Sequence, residues 1–175
     1  MKLLPILVLG AFAVSLSAQT APPSAAPARD LAKLLGDRKI DSVATRLPDS
    51  QDEFAAALVF PGQLIVIWAK FSAPQLLNEK LIRKEYRDVY LDLNSASIME
   101  SRHFVTDLGA DGILARPPKN QPADMHDLGK VSMRFDGSWR EDKMSEDQYM
   151  KAYSEAEAGY TKALQALIEE LKKAA

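Results

Sequence analysis

Cysteine is absent from all 175 residues. That excludes thiol nucleophiles, a disulfide framework and an acceptor for a lipid anchor. The eight glycines stand one at a time, so neither a phosphate-cradling loop nor a dinucleotide fingerprint can be assembled. Histidine occurs only at His103 and His126, which confines any imidazole chemistry to two positions. Positive charge is not in surplus either: the formal net charge is -2, and no basic groove is available to steer nucleic acid. Beyond the first eighteen residues no apolar run approaches the roughly 20 residues of a spanning helix, so no mature transmembrane segment is expected.

What is present begins with an address. Met1-Lys2 gives a short positive start and Leu3 to Leu16 an apolar run too short to span a bilayer, followed by the small residues Ser15, Ser17 and Ala18. Residues 1–18 therefore read as a secretory signal peptide cut near Ala18, which implies a periplasmic or secreted protein. Residues 19–29, QTAPPSAAPAR, carry three prolines and little to bury, and read as a disordered Pro/Ala linker. Residues 30–175 have the size of one domain, long enough to hold a hydrophobic core without cysteines.

The apolar runs concentrate between Phe54 and Asn94. FAAALVF, Pro61-Gly62 and QLIVIWAKF read as two strands joined by a type II turn, the second strand covered on both faces and so central. Ahead of them, Leu31, Leu34, Leu35, Ile40, Val43, Ala44 and Leu47 recur at helical spacing, predicting one or two short helices over 30–47; Ser50 and Glu53 have the spacing of a capping box. Ser72 and Pro74 then open a crossover helix with Leu76, Leu77 and Leu81 on one face, and Val89, Leu91 and Leu93 alternate as a strand.

His103 to Leu108 is a second alternating strand. A hairpin between the two would set Asp92 against His103 and Tyr90 against Val105. Asp107 to Gly112 reads as a turn, Ile113 to Ala115 as a short strand, Arg116 to Asp127 as an irregular loop, and Lys130 to Phe135 as a strand entering an Asp136-Gly137 hairpin. From Ser145 the period becomes helical: Ser145 and Gln148 form a capping box, and Tyr149, Tyr153, Tyr160, Leu164, Leu167 and Leu171 mark one face of a helix on the order of 40 Å long. Gly159 would allow a bend. The fold class is α+β: a small, mostly antiparallel sheet or split barrel with N-terminal helices, one crossover helix and a long C-terminal helix. The tyrosine stripe is either core or a ligand platform, and the terminal helix that carries it could join two copies as a homodimer.

The chemistry is thinly marked. A serine hydrolase would present its Ser on a sharp strand-to-helix turn, but Ser72 lies in FSAP without flanking glycines and reads as a helix cap. For a metal, Asp124, His126 and Asp127 lie close in sequence, and Asp92, His103 and Asp107 would converge in the hairpin. The same residues are also ordinary cross-strand pairs and turn formers, so no metal is assigned.

Two strands, a Ser-containing turn into a helix carrying LLNEKL, and the strand RDVYLDL together resemble, over about residues 54 to 115, the element order of flavin-nucleotide-binding split-barrel proteins of the pyridoxamine-phosphate-oxidase type. The resemblance implies FMN as cofactor and Lys70, Ser72 and Lys80 as contacts to its phosphate; the Arg-rich clamp usual in that family has no counterpart. A ligand pocket is expected where Lys70, Ser72, Lys80, Asp92 and His103 converge. Three readings follow: an exported, non-catalytic domain that binds a small ligand or protein partner; a flavin-binding split barrel; and a divalent-metal-assisted hydrolase using the His and Asp groups.

Overall fold

The computed structural model describes residues 20–48, 50–71, 99–127, 132–136 and 144–173. The signal-peptide reading of 1–18, the crossover helix opened by Ser72 and the strand around Asp92 lie outside these residues. Within them the chain is α+β. Helix α1 (Ala25–Arg38) precedes strands β1 (Ser42–Arg46), β2 (Glu53–Phe60), β3 (Gln63–Phe71), β4 (Met99–Leu108), β5 (Asp124–Asp127) and β6 (Ser132–Phe135), and helix α2 (Glu146–Lys173) closes the chain. The strands form one open antiparallel sheet in the order β1-β2-β3-β4-β5-β6, each paired with its neighbours in sequence.

Helix α1 starts inside the segment expected to be a disordered linker. Pro22 and Pro23 precede it and Pro27 falls in its first turn, where the missing N–H has no intrahelical partner to lose. The intervening alanines are the best helix formers. Ala25, Ala28, Leu31 and Leu35 are buried, so the linker reading is corrected: the ordered domain begins before residue 30. Lys39, in the left-handed region at φ 56°, ends the helix by donating its N–H to the carbonyls of Gly36 and Leu35.

The helix predicted to resume at Ile40 is instead β1. Its inward residues Val43, Thr45 and Leu47 repeat every second position, and Ser42 to Arg46 pair with Leu58 to Phe54 of β2. Ser50 does not begin a helix. Its Oγ accepts the N–H groups of Asp52 (3.4 Å) and Glu53 (3.1 Å) and so folds the turn into β2.

The β2–β3 hairpin matches the expectation, with Phe60 opposite Gln63 and Gly62 at φ +80°, the conformation the third position of a type II turn requires. β3 is an interior strand. Leu64, Val66 and Trp68 of β3, Ala55 and Ala57 of β2, Val105 of β4, and Met133 and Phe135 of β6 meet Tyr149, Tyr160, Ala163, Leu164, Leu167 and Leu171 of α2 and Ala28, Leu31 and Leu35 of α1 in one core. Each fully buried leucine contributes about 1.5–3 kcal/mol. On the opposite sheet face Phe54, Ala56, Ile67 and Ala69 are also buried.

Helix α2 runs unbroken for 28 residues, about 42 Å at 1.5 Å per residue. Its start is the reciprocal capping box expected from sequence: Gln148 N–H donates to Ser145 Oγ (3.2 Å) and Ser145 N–H to Gln148 Oε1 (2.9 Å). The helix continues through Gly159. A Cβ there would lie 2.8 Å from Trp68 Cζ2, so the glycine is what lets the helix backbone cross the indole at close range. Two members of the tyrosine stripe, Tyr149 and Tyr160, are fully buried against the chain's own core, and Tyr153 is partly buried beside them.

Candidate functional site

The inward face of the sheet carries more ionisable groups than a core usually tolerates. Cross-strand register places Trp68 beside His103, Val105 beside His126, and His126 beside Met133, and period-two alternation puts Asp107 and Asp124 on that same face. Asp107 is 0% exposed, Asp124 2% and His126 3%. Charged groups at this depth require partners.

Both aspartates find theirs mostly at the end of β4 and in the segment that follows it. Asp107 Oδ1 accepts the N–H of Asp111 (3.1 Å), and its Oδ2 accepts the N–H of Gly112 (2.9 Å) and the hydroxyl of Tyr160 (2.8 Å). Asp124 accepts the N–H groups of Leu108 (2.9 Å) and Leu114 (3.3 Å). Tyr149 donates to Ala115 O (2.7 Å) and Tyr153 to Ile113 O (3.1 Å). Ile113 to Ala115, expected to be a strand, is therefore held by side chains rather than by a ladder. Gly112 has φ +86°, and a Cβ there would stand 2.6 Å from Ala25 N, so the segment also presses against the start of α1.

That start is tied to α2. Ser24 donates its backbone N–H to Glu157 Oε1 (2.6 Å) and its hydroxyl to Oε2 (2.8 Å), while its Oγ accepts Ile113 N–H (3.2 Å). A carboxylate at a helix N-terminus satisfies an orphan donor and opposes the positive end of the dipole. Burial nevertheless raises the carboxyl pKa values of Asp107 and Glu157, and pushes Asp124 up to about 7, because desolvation outweighs the bonds that favour the charged form. It pushes the Tyr153 hydroxyl up to about 12. This network clamps a loop; its carboxyl oxygens are spent on backbone N–H groups and on the hydroxyls of Tyr160 and Ser24.

The two histidines meet in the sheet. His103 Nδ1 lies 3.1 Å from His126 Nε2, so the two imidazoles meet edge to edge, and both lie against Trp68: indole to His103 4.8 Å, indole to His126 5.7 Å, His103 to His126 5.3 Å, His126 to Phe135 6.4 Å, all within 20° of parallel. Phe135 then meets Tyr149 and Tyr153 of α2 edge-on. Burial lowers both imidazole pKa values, His126 to about 4, with the neighbouring His103 adding to that effect. Both rings are neutral at pH 7, one donating to the lone pair of the other. Glu53 and Asp127 favour the charged forms without overcoming burial.

Next to His103, one row toward the end of the sheet, Glu53 and Lys70 face each other across β2 and β3. They line a cleft of about 620 Å³ between the sheet and α2, together with Asp52, Lys162, Gln165 and Glu169. Lys162 Nζ reaches Glu53 Oε2 at 3.3 Å and Lys70 Nζ lies 3.8 Å from Asp52 Oδ2. An apolar groove of about 530 Å³, lined by Pro23, Tyr153 and Ala158 among others, continues along α2 and shares Lys162 and Gln165.

Of the residues singled out from sequence, the structure thus places Lys70 in the cleft, His103 in the row beside it, His126 against His103, and Asp124 in the loop clamp. Ser72, Lys80 and Asp92 lie outside the described residues, and the positions opposite Val105, expected to include Tyr90, are held by Val66 and His126. Asp124 and His126 share a strand rather than the expected loop, and no three metal-binding side chains gather among the described residues. The pairing of the histidines was missed because β5 inverts the usual alternation: Met125 is 44% exposed while its two polar neighbours point inward. Neither the known protein families, nor the curated proteins, nor the solved structures contain a match to this chain.

Proposed function

We propose that the chain is an exported, non-catalytic domain that binds a small polar ligand in the cleft at the end of the sheet, in the periplasm or outside the cell. The observation that carries this reading is the cleft itself. It offers about 620 Å³, the size of a small-molecule site, with carboxylates and ammonium groups facing one another across it. That lining suits a ligand bearing both charges, or a polar ligand that exchanges hydrogen bonds with the ion pairs. The buried Asp107, Asp124 and His126 support a non-catalytic role, since each is committed to backbone groups or to the other imidazole and is shut away from solvent.

A thermal-shift screen of amino acids, dicarboxylates and polyamines tests the reading. A ligand at about 100 times its Kd adds about 2.7 kcal/mol of stability. That shift is expected with the wild type and is lost in Lys162→Ala and Lys70→Ala. Absence of any shift across the panel, or a shift that survives both substitutions, overturns it. Flavin absorbance in the purified protein would replace it with the cofactor reading, and stoichiometric zinc with the metal-assisted one.

A further inference from the structure

Neither histidine lines the ligand cleft, although His103 lies one row from it, and nothing in the loop clamp requires them. A core ladder of this kind can be built from apolar rings alone; here two of its four members titrate. Trp68, His103, His126 and Phe135 cross four strands, and the ladder's two ends bear on α2, through Trp68 under Gly159 and through Phe135 against Tyr149 and Tyr153. Within this ladder His103 Nδ1 meets His126 Nε2 at 3.1 Å, and Trp68 lies over both rings, while the backbones of β4 and β5 pair from Phe104 to Thr106.

Proton counting shows how that histidine contact responds to acid. In the neutral pair one facing nitrogen carries a hydrogen and the other a lone pair. A first added proton goes to the far nitrogen of the donor ring, and an imidazolium N–H still meets a lone pair, so the bond remains and gains charge assistance. A second proton falls on the remaining facing nitrogen. Donor then faces donor, the bond is lost, and two like charges lie within one stack. His126, almost fully buried, has no water to turn to, whereas His103 is partly exposed beside the cleft.

We propose that the His103–His126 pair is an acid-responsive latch: neutral, it joins β4 to β5 beneath Trp68, and doubly protonated it opens and loosens the seat of the indole under α2. Glu53 from β2 and Asp127 from β5 act on the pair; Lys70 from β3, Asp107 from β4 and Asp124 from β5 share its sheet face, and Tyr153, Glu157 and Lys162 of α2 contact Phe135, Ser24 and Glu53. Glu53 and Asp127 attract protons to the pair. Glu53 also receives Lys162, so a displaced His103 imidazolium has a carboxylate waiting in the cleft.

With two histidines in the chain, side-chain nitrogen spectra of the ¹⁵N-labelled protein have two rings to follow, and Trp139→Phe leaves Trp68 as the sole indole. Between pH 8 and pH 3.5 the expected result is neutral rings at pH 7 with one facing nitrogen protonated, and a His126 midpoint near 4. Over the same range Trp68 emission shifts while the far-UV circular dichroism is unchanged. The Trp68 transition disappears in His103→Gln and in His126→Gln. If the buried substitution fails to fold, the wild-type spectra and His103→Gln still decide. Ordinary independent titrations near 6.5, a Trp68 transition that survives His103→Gln, or one that appears only with loss of secondary structure each overturn the proposal.

Discussion

His126 and Asp124 lie two residues apart on β5 and pull the pH dependence of stability in opposite directions. The imidazole falls from 6.5 to about 4 on folding, so between those values the unfolded chain binds a proton that the folded chain refuses. Its contribution is complete above 6.5 and declines as pH falls toward 4. The Asp124 carboxyl rises from 3.8 to about 7, so over that range the folded chain holds a proton the unfolded chain has released, and its contribution declines as pH rises. At about 1.4 kcal/mol per pH unit for each group, the two slopes cancel from about pH 4 to 6.5. His126→Gln removes one slope and Asp124→Asn the other. Measured by urea denaturation at half-unit steps, the stability difference between wild type and His126→Gln should widen by up to about 3 kcal/mol as pH rises from 4 to 6.5. The difference for Asp124→Asn should narrow by a similar amount. Asp124→Asn also loses an acceptor for one backbone N–H, but that cost does not depend on pH and leaves the slope readable. Differences that stay flat with pH for both variants would refute the claim that these two groups are buried uncharged.

Gly159→Ala gains up to about 1 kcal/mol of helix propensity but must push an indole aside, at about 1–3 kcal/mol, so a net loss of stability is expected by thermal unfolding. Tyr160→Phe removes the hydroxyl that Asp107 accepts and should cost about 1.5–3 kcal/mol while raising hydrogen exchange at Asp111 and Gly112. Gly112→Ala meets both an unfavourable φ and the backbone of Ala25, and should destabilise more than an alanine at the exposed Gly36, where nothing lies within 4 Å.

What the sequence revealed depended on whether one period or two could explain a segment. β2, β3 and their turn were readable because apolar runs flanked a Pro-Gly pair, and α2 because its apolar residues kept helical spacing from capping box to last turn. Over 40–47 the pattern was ambiguous: Val43 and Leu47, four apart, satisfy a helix and a strand alike, and the adjacent β2 decided for the strand. The start of α1 was hidden by prolines, which argue for disorder in composition but for a helix start by position. β5 was hidden more deeply, since its polar residues face inward and are stabilised by partners on β4 and in the loop clamp. The candidate site was half visible: Lys70 and His103 could be named from sequence, but the nearness of His126, and the carboxylates and ammonium groups that α2 and β2 bring to the cleft, are products of register.

The Ser24–Glu157 link ties the residue ahead of α1 to α2, 133 positions later. Although each described strand pairs with the next described one, a chain emerging N-terminus first cannot seat α1 until most of it has been delivered. A ribosome would therefore hand over the meander well before α2, and fragments ending short of α2 should stay open to proteases.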